Sequence, residues 1–398
     1  METSPPGGGG TQNLTVHQLL GQFAPAYRER YPSMPLRHRQ VLQKILLCRT
    51  SVLGGQLLGC PDCHRFHYRY HSCNDRHCPQ CGHADTEDWL QRQQERLLFP
   101  VPYFLVTFTV PEALRLFIRS HLKIGLDLLF AASAQALQDL AAHPKRLGAQ
   151  LGMLGVLHTW TRTLIFHPHI HYLIPGGGLS LDGRTWVPAK NNFLLPHQPL
   201  GEHFRTLFKA RLLKEHPDLF PQVPEKVWEE SWNVGCQAAG SGLNALRYLS
   251  RYLFKTATAN RPLQLLPEGK ILWTYRQSKT RKFTALKLEP LEFMSRFLQH
   301  ILPPGYARVR TFGWLHPAAK VRANRVRALL NQAPRLTPQE QHTWKSSSPA
   351  PPQPPGPTPA PEPVHHPPPC PCCRQPMRLI AVWSAGHRPP VPPRNRSP

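Results

Sequence analysis

One stretch constrains the fold more than any other: residues 166–174, which read as a β-strand and are followed by Pro175 and three glycines. Alternate side chains of a strand share one face, so His169 and His171 point the same way while Ile170 points the other way. Pro168 fits the start of a strand, because proline has no N–H to donate inside a sheet. Neutral imidazole is a common ligand of divalent metal ions. The stretch therefore predicts a strand that presents half of a metal site.

A pair of tyrosines further along the chain fits the same kind of site. Tyr248 and Tyr252 fall in a helical pattern, and residues four apart lie on one face of a helix. Taken separately, the tyrosine pair is typical of core packing and the histidine pair of cross-strand packing. Together they predict a site with a cation and two phenolic nucleophiles.

The charge of the chain indicates a polyanionic partner. There are 48 Lys and Arg against 23 Asp and Glu, which gives a net charge of +25. Neutralising phosphates with Lys and Arg releases condensed counterions, so this balance favours DNA or RNA and strongly salt-dependent binding. The glycines at 176–178 lack the lysine and the helix start of a phosphate-binding loop, so we expect no nucleotide cofactor.

Six of the ten cysteines fall in Cys-x-x-Cys pairs, which indicates metal binding in a reducing compartment and not a disulfide framework. Two such knuckles have the spacing of a tetrahedral zinc site, to which each knuckle gives two thiolates. Cys73 and His71 are further candidates, and spacing does not decide whether either replaces a knuckle cysteine. The predicted structural zinc ligands are Cys60, Cys63, Cys78 and Cys81.

Basic residues accompany both predicted sites. A zinc site with four protein ligands has no open position for chemistry, so we expect it to fold a small module that presents basic and aromatic side chains to nucleic acid. These side chains are Arg65, Arg69, Arg76, Tyr68 and Tyr70. A predicted hairpin over residues 271–288 is expected to contact backbone phosphates through its tip. The tip residues are Arg276, Lys279, Arg281 and Lys282, and Arg251 between the tyrosines faces either phosphate or solvent.

In these residues the chain resembles the two-tyrosine HUH transposases of the insertion-sequence-91 family, which move DNA by a rolling-circle route. The resemblance is carried by the His-hydrophobic-His strand with its glycine-rich exit and by residues 157–160, 247–255 and 292–303. The knuckle region, including residues 72–78, resembles the family's N-terminal zinc-binding domain. Two departures are Phe254, where a histidine is frequent, and Arg162, where a small or polar residue is common.

The resemblance implies a reaction and its partners. Tyr248 or Tyr252 attacks a phosphorus of single-stranded DNA at the ends of the element or at the target. The attack leaves a 5′-phosphotyrosine and frees a 3′-hydroxyl, and the other tyrosine can then accept a second strand. The expected protein is thus a DNA transposase that nicks and transfers strands.

The resemblance also implies a catalytic metal ion. Mg²⁺ or Mn²⁺ held by His169 and His171 would polarise the scissile phosphate and stabilise charge in the transition state. Two imidazoles need further ligands. His158 is the first candidate for the third ligand and His167 is the second, and a residue on the tyrosine helix is a further candidate.

The expected fold is α+β, with an HUH endonuclease-like antiparallel sheet and flanking helices. A small helical and zinc-binding domain precedes it, and a Pro-rich disordered tail follows. The expected boundaries are 1–14 disordered, 15–98 helical, zinc-binding and DNA-binding, 99–333 catalytic, 334–369 Pro-rich linker, and 370–398 a tail with cysteines. Because the tail has one knuckle, Cys370 with Cys373, we expect no complete second zinc site there.

Local patterns add several elements to this scheme. Residues 15–58 read as helical, 103–110 as a buried strand, and 112–142 as one long helix or two. No apolar run reaches the eighteen residues of a membrane span, and the start lacks the order of a signal peptide. We expect no membrane partner and a cytoplasmic, nucleoid-associated bacterial protein.

Three other functions use parts of the same evidence. A non-catalytic zinc DNA-binding protein needs only the zinc module and the charge. A zinc-dependent hydrolase would use His169 and His171 with water. A conjugative relaxase or plasmid replication initiator shares HUH chemistry, but the zinc module and the position of the tyrosines after the histidine strand argue against a relaxase.

Overall fold

A computed structural model describes residues 11–81, 86–97, 99–190, 192–254, 258, 262–277, 280, 282–332 and 368–392, without the side chains of 86–89, 95 and 251–254. These residues form a mixed structure of helices and sheets, as expected. The helices are α1 (Val16–Arg30), α2 (Leu36–Leu47), α3 (Thr86–Leu97), α4 (Glu112–Ser120), α5 (Leu122–Ala142), α6 (His197–Glu215), α7 (Lys226–Glu229), α8 (Leu243–Phe254), α9 (Pro290–Leu298) and α10 (Lys320–Leu329). The strands are β1 (Gln12–Thr15), β2 (Gly55–Gly59), β3 (Phe66–Tyr70), β4 (Tyr103–Thr109), β5 (Ala149–Gln150), β6 (Gly152–Trp160), β7 (Phe166–Pro175), β8 (Gly177–Ser180), β9 (Trp186–Pro188), β10 (Val234–Ala238), β11 (Pro262–Leu265), β12 (Ile271–Arg276), β13 (Phe283–Leu288), β14 (Val309–Gly313) and β15 (Arg378–Trp383).

The chain divides into two compact units. The larger unit takes Met1–Leu42 and Arg76–Pro334, and the smaller unit takes Gln43–Asp75 and Arg335–Pro398. This division differs from the expected domains, which placed residues 15–98 together and separated them from the tail. The difference arises because the tail pairs with the first cysteine knuckle, a long-range contact that composition along the chain cannot indicate.

The larger unit is built around a five-stranded antiparallel sheet with the order β10-β4-β7-β6-β14. The histidine strand β7 is its central strand, between β4 and β6. A short turn at 161–165 joins β6 to β7. The central position explains why β7 is almost continuously buried from Ile170 onwards.

The two faces of this sheet are covered by different helices. On one face, Phe108, Ile170 and Tyr172 pack in one core with residues of α4, α5 and α6. On the other face, Val156 and Leu173 pack with residues of α3, α8 and α10. Because His158, His169 and His171 have the same parity as Val156 and Leu173, strand alternation places the histidines on the face of α8.

Two smaller antiparallel sheets complete the larger unit, β1-β11-β12-β13 and β5-β8-β9. The predicted 271–288 hairpin is present as β12 and β13. The expectation that residues 1–14 lack structure is wrong for the described part, because β1 pairs with β11 and Leu14 is buried. The predicted helix over 112–142 is divided at His121, whose φ of −118° interrupts it between α4 and α5.

The smaller unit contains a three-stranded antiparallel sheet with the order β15-β2-β3. Helical character was expected up to residue 58, but β2 begins at Gly55. The ring of Trp383 on β15 lies against Tyr68 and Tyr70 of β3, with centroids 5.9 Å apart in each case. Most of the expected Pro-rich linker, residues 334–367, lies outside the described residues. No helix among the described residues is long and apolar enough to cross a membrane.

Candidate active site

Three histidines meet on the central strands of the five-stranded sheet. His158 on β6 is the direct cross-strand partner of His169 on β7, and His171 follows two residues later on the same face. One ligand nitrogen from each lies within 4.8 Å of the others. The structure therefore brings together the predicted pair and the first candidate for a third ligand.

The three imidazoles are held in their neutral form. Burial lowers the pKa of His158 well below its usual value, and the nearby His171 and His169 act in the same direction. Burial and His169 lower the pKa of His171 to about 3. Burial also lowers the pKa of His169, although the hydrogen bond to His167 opposes this effect. Neutral imidazoles have the free lone pair that a metal ligand needs.

Two hydrogen bonds fix the rings of the β7 histidines. The Nδ1 atom of His169 donates to the carbonyl oxygen of His167, at 2.6 Å. The Nδ1 atom of His171 and the hydroxyl oxygen of Thr107 are 2.7 Å apart. Because Nδ1 is engaged in both rings, Nε2 is the atom available to an ion. His167, the second candidate for the third ligand, thus orients His169 through its backbone.

The sequence reasoning missed Thr107. The residue lies on β4, where the register pairs it with His171. A threonine in a buried strand gives no signal by itself, and the register between β4 and β7 was needed to find it. Arg115 on α4 was also missed; its positive charge contributes to the lowered pKa of His167 and of His169.

Helix α8 brings a tyrosine to the histidines. Its apolar residues Ala245, Leu246 and Leu249 are buried against the sheet, in the core that includes Val156. The preceding position, Tyr248, is 40% exposed. Its ring meets the His171 ring edge-on, with centroids 5.9 Å apart.

The second tyrosine lies one turn further along α8, at position 252. The side chains of Tyr252 and Arg251 are outside the described residues. The predicted convergence of histidines and tyrosines is therefore seen for Tyr248.

Basic residues lie at the turn that joins β6 to β7. The guanidinium of Arg162, noted above as a departure from the family pattern, donates to the carbonyl oxygen of Arg276 at the end of β12. The indole N–H of Trp273 donates to the carbonyl oxygen of Arg162, at 2.8 Å. These contacts attach the β12–β13 hairpin to the strand end next to the histidines. Of the predicted tip, Lys282 is described and exposed, whereas Lys279 and Arg281 lie outside the described residues.

The cysteine ligands are grouped differently from the prediction. Within the smaller unit, Cys60 and Cys63 form a cluster with Cys370 and Cys373, in which the sulfur atoms all lie within 4.8 Å of one another. Cys78 and Cys81 belong to the larger unit. The predicted single site from the first two knuckles is thus corrected, because a strand pairing joins the first knuckle to the tail. For Cys73, the backbone N–H donates to the sulfur of Cys48, at 3.5 Å.

The predicted DNA-contacting residues of the zinc module have several different environments. Arg65 and Arg69 are exposed in the smaller unit, and Arg65 donates to the sulfur of Cys372 at 3.2 Å. Arg76 belongs to the larger unit, where it donates to a backbone carbonyl at 2.6 Å. Tyr68 and Tyr70 pack edge-on against Trp383, and Tyr68 remains 38% exposed.

Comparisons with known proteins agree with this architecture. Residues 152–324 match a family described as a putative transposase, and residues 19–110 match the transposase zinc-binding domain. The chain is 33% identical over 320 residues to the putative transposase y4qJ of Sinorhizobium fredii (strain NBRC 101917 / NGR234), which covers 75% of this chain and 80% of that protein. It is 29% identical over 302 residues to the transposase for insertion sequence element IS801 of Pseudomonas savastanoi pv. phaseolicola, which covers 69% of this chain and 70% of that protein.

These matches define the class of the chain as a transposase, an enzyme that acts on DNA. Within that class, it belongs to the insertion-sequence-91 family, with an N-terminal zinc-binding domain. A bacterial tRNA(His) guanylyltransferase-like protein in complex with ATP aligns with 54% of this chain and 98% of its own, at 12% identity and a TM-score of 0.18. That score is too low to support an argument about the fold.

Proposed function

We propose that this transposase cleaves and rejoins single-stranded DNA by transesterification at the histidine cluster, with Tyr248 as the first nucleophile. The observation that carries the proposal is the contact between the ring of Tyr248 and His171 beside two further histidines. In this proposal the five-stranded sheet is the HUH-type catalytic sheet, and the transposition route is rolling-circle.

The reaction replaces one phosphate ester by another. The phenol oxygen of Tyr248 forms a bond to phosphorus, and the bond between phosphorus and the 3′ oxygen breaks. The phenol proton passes to solvent and the leaving 3′ oxygen takes up a proton from solvent. Because the energy of the phosphodiester is kept in the 5′-phosphotyrosine, rejoining needs no nucleotide cofactor. Tyr252, one helical turn away, is proposed to accept the second strand.

The histidine cluster is proposed to hold a divalent ion, Mg²⁺ or Mn²⁺. Its three neutral imidazoles, two of them oriented through Nδ1, fit a metal ion as ligands. When bound, the ion would supply Lewis-acid polarisation of the scissile phosphate. Imidazole is a softer ligand than oxygen, so of the two ions Mn²⁺ suits this set better. A phenol with a pKa near ~10 is a weak nucleophile at neutral pH, so activation of the phosphate matters.

The DNA strand is proposed to enter along the turn between β6 and β7. Arg162 lies there, and the end of β12 is attached to it. Arg115 on α4 adds positive charge near His169, whose pKa it helps to lower. Such side chains bind backbone phosphates without regard to base sequence. These contacts would therefore position a DNA strand but would not select its sequence.

The test is to incubate the protein with labelled single-stranded oligonucleotides from the ends of its element and Mn²⁺. We expect an adduct that survives denaturation, and we expect Tyr248→Phe with Tyr252→Phe to abolish it. A peptide map should place the label on the tryptic peptide that contains Tyr248.

The same assay separates the other functions. Cleavage without an adduct would indicate the hydrolase that uses water. DNA binding unchanged in the double variant, with no cleavage by either protein, would indicate a non-catalytic DNA-binding protein. An adduct on plasmid origin sequences, but not on the ends of the element, would indicate a replication initiator.

A further inference from the structure

The two knuckles of the smaller unit have the same backbone arrangement although they lie far apart in the sequence. The N–H of Cys60 donates to the carbonyl oxygen of Arg65 at 2.9 Å, and the N–H of Cys370 donates to the carbonyl oxygen of Gln375 at 2.7 Å. Each bond closes a loop over the same number of residues. The residue before each loop also pairs with the residue after it, Gly59 with Phe66 and Pro369 with Pro376.

The dihedral angles of the two loops agree as well. The residue after the second cysteine is His64 in one knuckle and Arg374 in the other, with φ of 54° and 67°. Such left-handed backbone is uncommon outside glycine, so its occurrence at the same position of both loops indicates one shared turn. Both knuckles also have proline after the first cysteine, Pro61 and Pro371.

Backbone N–H groups point at the sulfur atoms in both knuckles. Cys63 accepts from the N–H of Arg65, and Cys373 accepts from the N–H of Gln375. The knuckles therefore share the same N–H donor to their second sulfur atom as well as the same backbone.

The four sulfur atoms face one another across the two knuckles. The distances are 3.3 Å from Cys60 to Cys373 and 3.6 Å from Cys63 to Cys370. A tetrahedral zinc site has sulfur atoms about 3.8 Å apart, because the Zn–S bond is about 2.3 Å. A disulfide has sulfur atoms about 2.05 Å apart, so these pairs are not disulfides.

We propose that Cys60, Cys63, Cys370 and Cys373 bind one structural Zn²⁺, so that the carboxy-terminal segment supplies half of a zinc ribbon whose other half is near the start of the chain. The segment expected to be a tail is then an integral part of the folded zinc module. Residues 76–334 of the larger unit lie between the two halves of this ribbon in the sequence, and residues 1–42 precede the first half.

The packing around β15 supports an integral role for the segment. A Cβ atom at Gly55 would lie 2.6 Å from the carbonyl oxygen of Arg69 on β3 and 2.8 Å from the Trp383 ring, so both neighbouring strands approach β2 too closely for a side chain there. Trp383 is 6% exposed, and its indole N–H points to the carbonyl oxygen of Ser51 at 3.4 Å. The amino-terminal half of the ribbon is thus shaped to receive the carboxy-terminal half.

His67 and Cys372 lie beside the four thiolates and, together with Cys370, form an alternative ligand set. The test below must distinguish this set from the four thiolates. His67 lies 3.7 Å from the sulfur of Cys370, and Cys372 completes a group with them. Cys372 is exposed and accepts a hydrogen bond from Arg65, which suits a thiol at the edge of the site. Arg65 also places positive charge beside a site that would carry excess negative charge from four thiolates.

The first test measures zinc per chain in the full-length protein by mass spectrometry of the metal. The double variant with Cys370→Ser and Cys373→Ser should contain one zinc ion fewer per chain. The double variant with Cys60→Ser and Cys63→Ser should also contain one fewer, because both pairs bind the same ion. All four substitutions together should lose no more than either pair. Cys372→Ser is the matched control and should keep all the zinc of the natural protein.

Two results would overturn the proposal. One is a loss of two zinc ions when all four residues are replaced, which would mean that each knuckle belongs to its own site. The other is a normal zinc content in the Cys370→Ser, Cys373→Ser protein.

A second test uses the natural protein and so does not depend on the folding of variants. In the zinc-loaded protein, iodoacetamide should modify Cys372 while the four proposed ligands stay protected. Removal of zinc by a chelator should make all four reactive together. Modification of Cys370 and Cys373 as fast as Cys372 in the zinc-loaded protein would refute the shared site.

Discussion

The ring of Tyr248 meets the ring of His171 edge-on, at a centroid distance of 5.9 Å and an interplanar angle of 88°. The two residues come from a helix and a strand that are far apart in the sequence. Tyr248 is also 40% exposed, so it lies beside the histidine cluster and remains accessible from solvent. A nucleophile needs both properties, nearness to the site and access for a substrate.

Tyr248→Phe should remove the covalent adduct while leaving the fold intact. The substitution deletes one oxygen from a half-exposed ring, so little packing is lost, but the nucleophile is gone. We expect adduct formation to fall by roughly 100-fold or more. Denaturing gels of the labelled DNA reaction measure it. Tyr31→Phe is a matched control, since Tyr31 is 38% exposed and its ring contacts Tyr27 instead of the histidine cluster. Equal adduct yield in the Tyr248 and Tyr31 variants would exclude Tyr248 as the first nucleophile.

Thr107→Val should weaken metal binding without removing a ligand. The hydroxyl of Thr107 is 2.7 Å from Nδ1 of His171 and fixes the orientation of that ring. Loss of such an orienting bond typically costs 10–100-fold, so we expect about that decrease in Mn²⁺ affinity by calorimetry. Thr109→Val is the control on the same strand, because its hydroxyl donates to the carbonyl oxygen of Asn233 instead. An affinity loss of the same size in both variants would assign the effect to strand packing.

The sequence predicted the parts of the site that depend on local periodicity. The histidine strand and the tyrosine helix follow from spacings of two and four residues, and both elements are present as β7 and α8. The role of Thr107 was not predictable, since it depends on the register of β4 against β7.

The zinc ligands show the same limit more sharply. Two neighbouring knuckles at zinc-finger spacing predicted one local site. The structure instead places Cys63 beside Cys370, a partner in the segment that composition assigned to a tail. All three Cys-x-x-Cys knuckles have the same local spacing, so only the tertiary structure decides which two bind the same ion.

Acidification should destabilise the larger unit, because its buried histidines are neutral in the folded state. His300 is not one of the proposed metal ligands, so a substitution there tests this effect without changing the metal site. Burial lowers the pKa of His300 from 6.5 to about 3, against the smaller opposing effect of its hydrogen bond to Leu164. Between these two pKa values the unfolded chain binds a proton at this position that the folded chain does not. The contribution of neutral His300 to stability is thus complete above pH 6.5 and is lost as the pH falls towards 3.

The expected slope is about 1.4 kcal/mol per pH unit for each such histidine. Urea unfolding at pH 7.5 and at pH 5 measures it. His300→Gln should reduce the loss of stability on acidification, whereas His197→Gln, at an exposed position, should leave it unchanged. An identical pH dependence in the natural protein and the His300 variant would show that His300 is not protonated on unfolding.

Gly242→Ala should displace the tyrosine helix. Gly242 immediately precedes α8 with φ of +77°, and a Cβ atom there would lie 2.6 Å from the ring of Tyr103. That ring cannot move aside easily, because its hydroxyl donates to the carbonyl oxygen of Leu97 and accepts from the N–H of Phe99. We therefore expect a shift of α8 and a loss of about 2–4 kcal/mol, from the left-handed backbone and the steric clash together.

Gly240→Ala separates these two effects. Gly240 also has positive φ, +59°, but a Cβ atom there would meet nothing within 4 Å. The control should cost only about 1–2 kcal/mol and should leave the position of α8 unchanged. Because Tyr248 reaches His171 only through the placement of α8, the Gly242 variant should lose adduct formation at temperatures where it remains folded, and the Gly240 variant should keep it. Thermal unfolding and the adduct assay, run on both proteins, measure stability and activity separately. Normal adduct formation by folded Gly242→Ala protein would mean that the reaction does not depend on the contact between Tyr248 and His171.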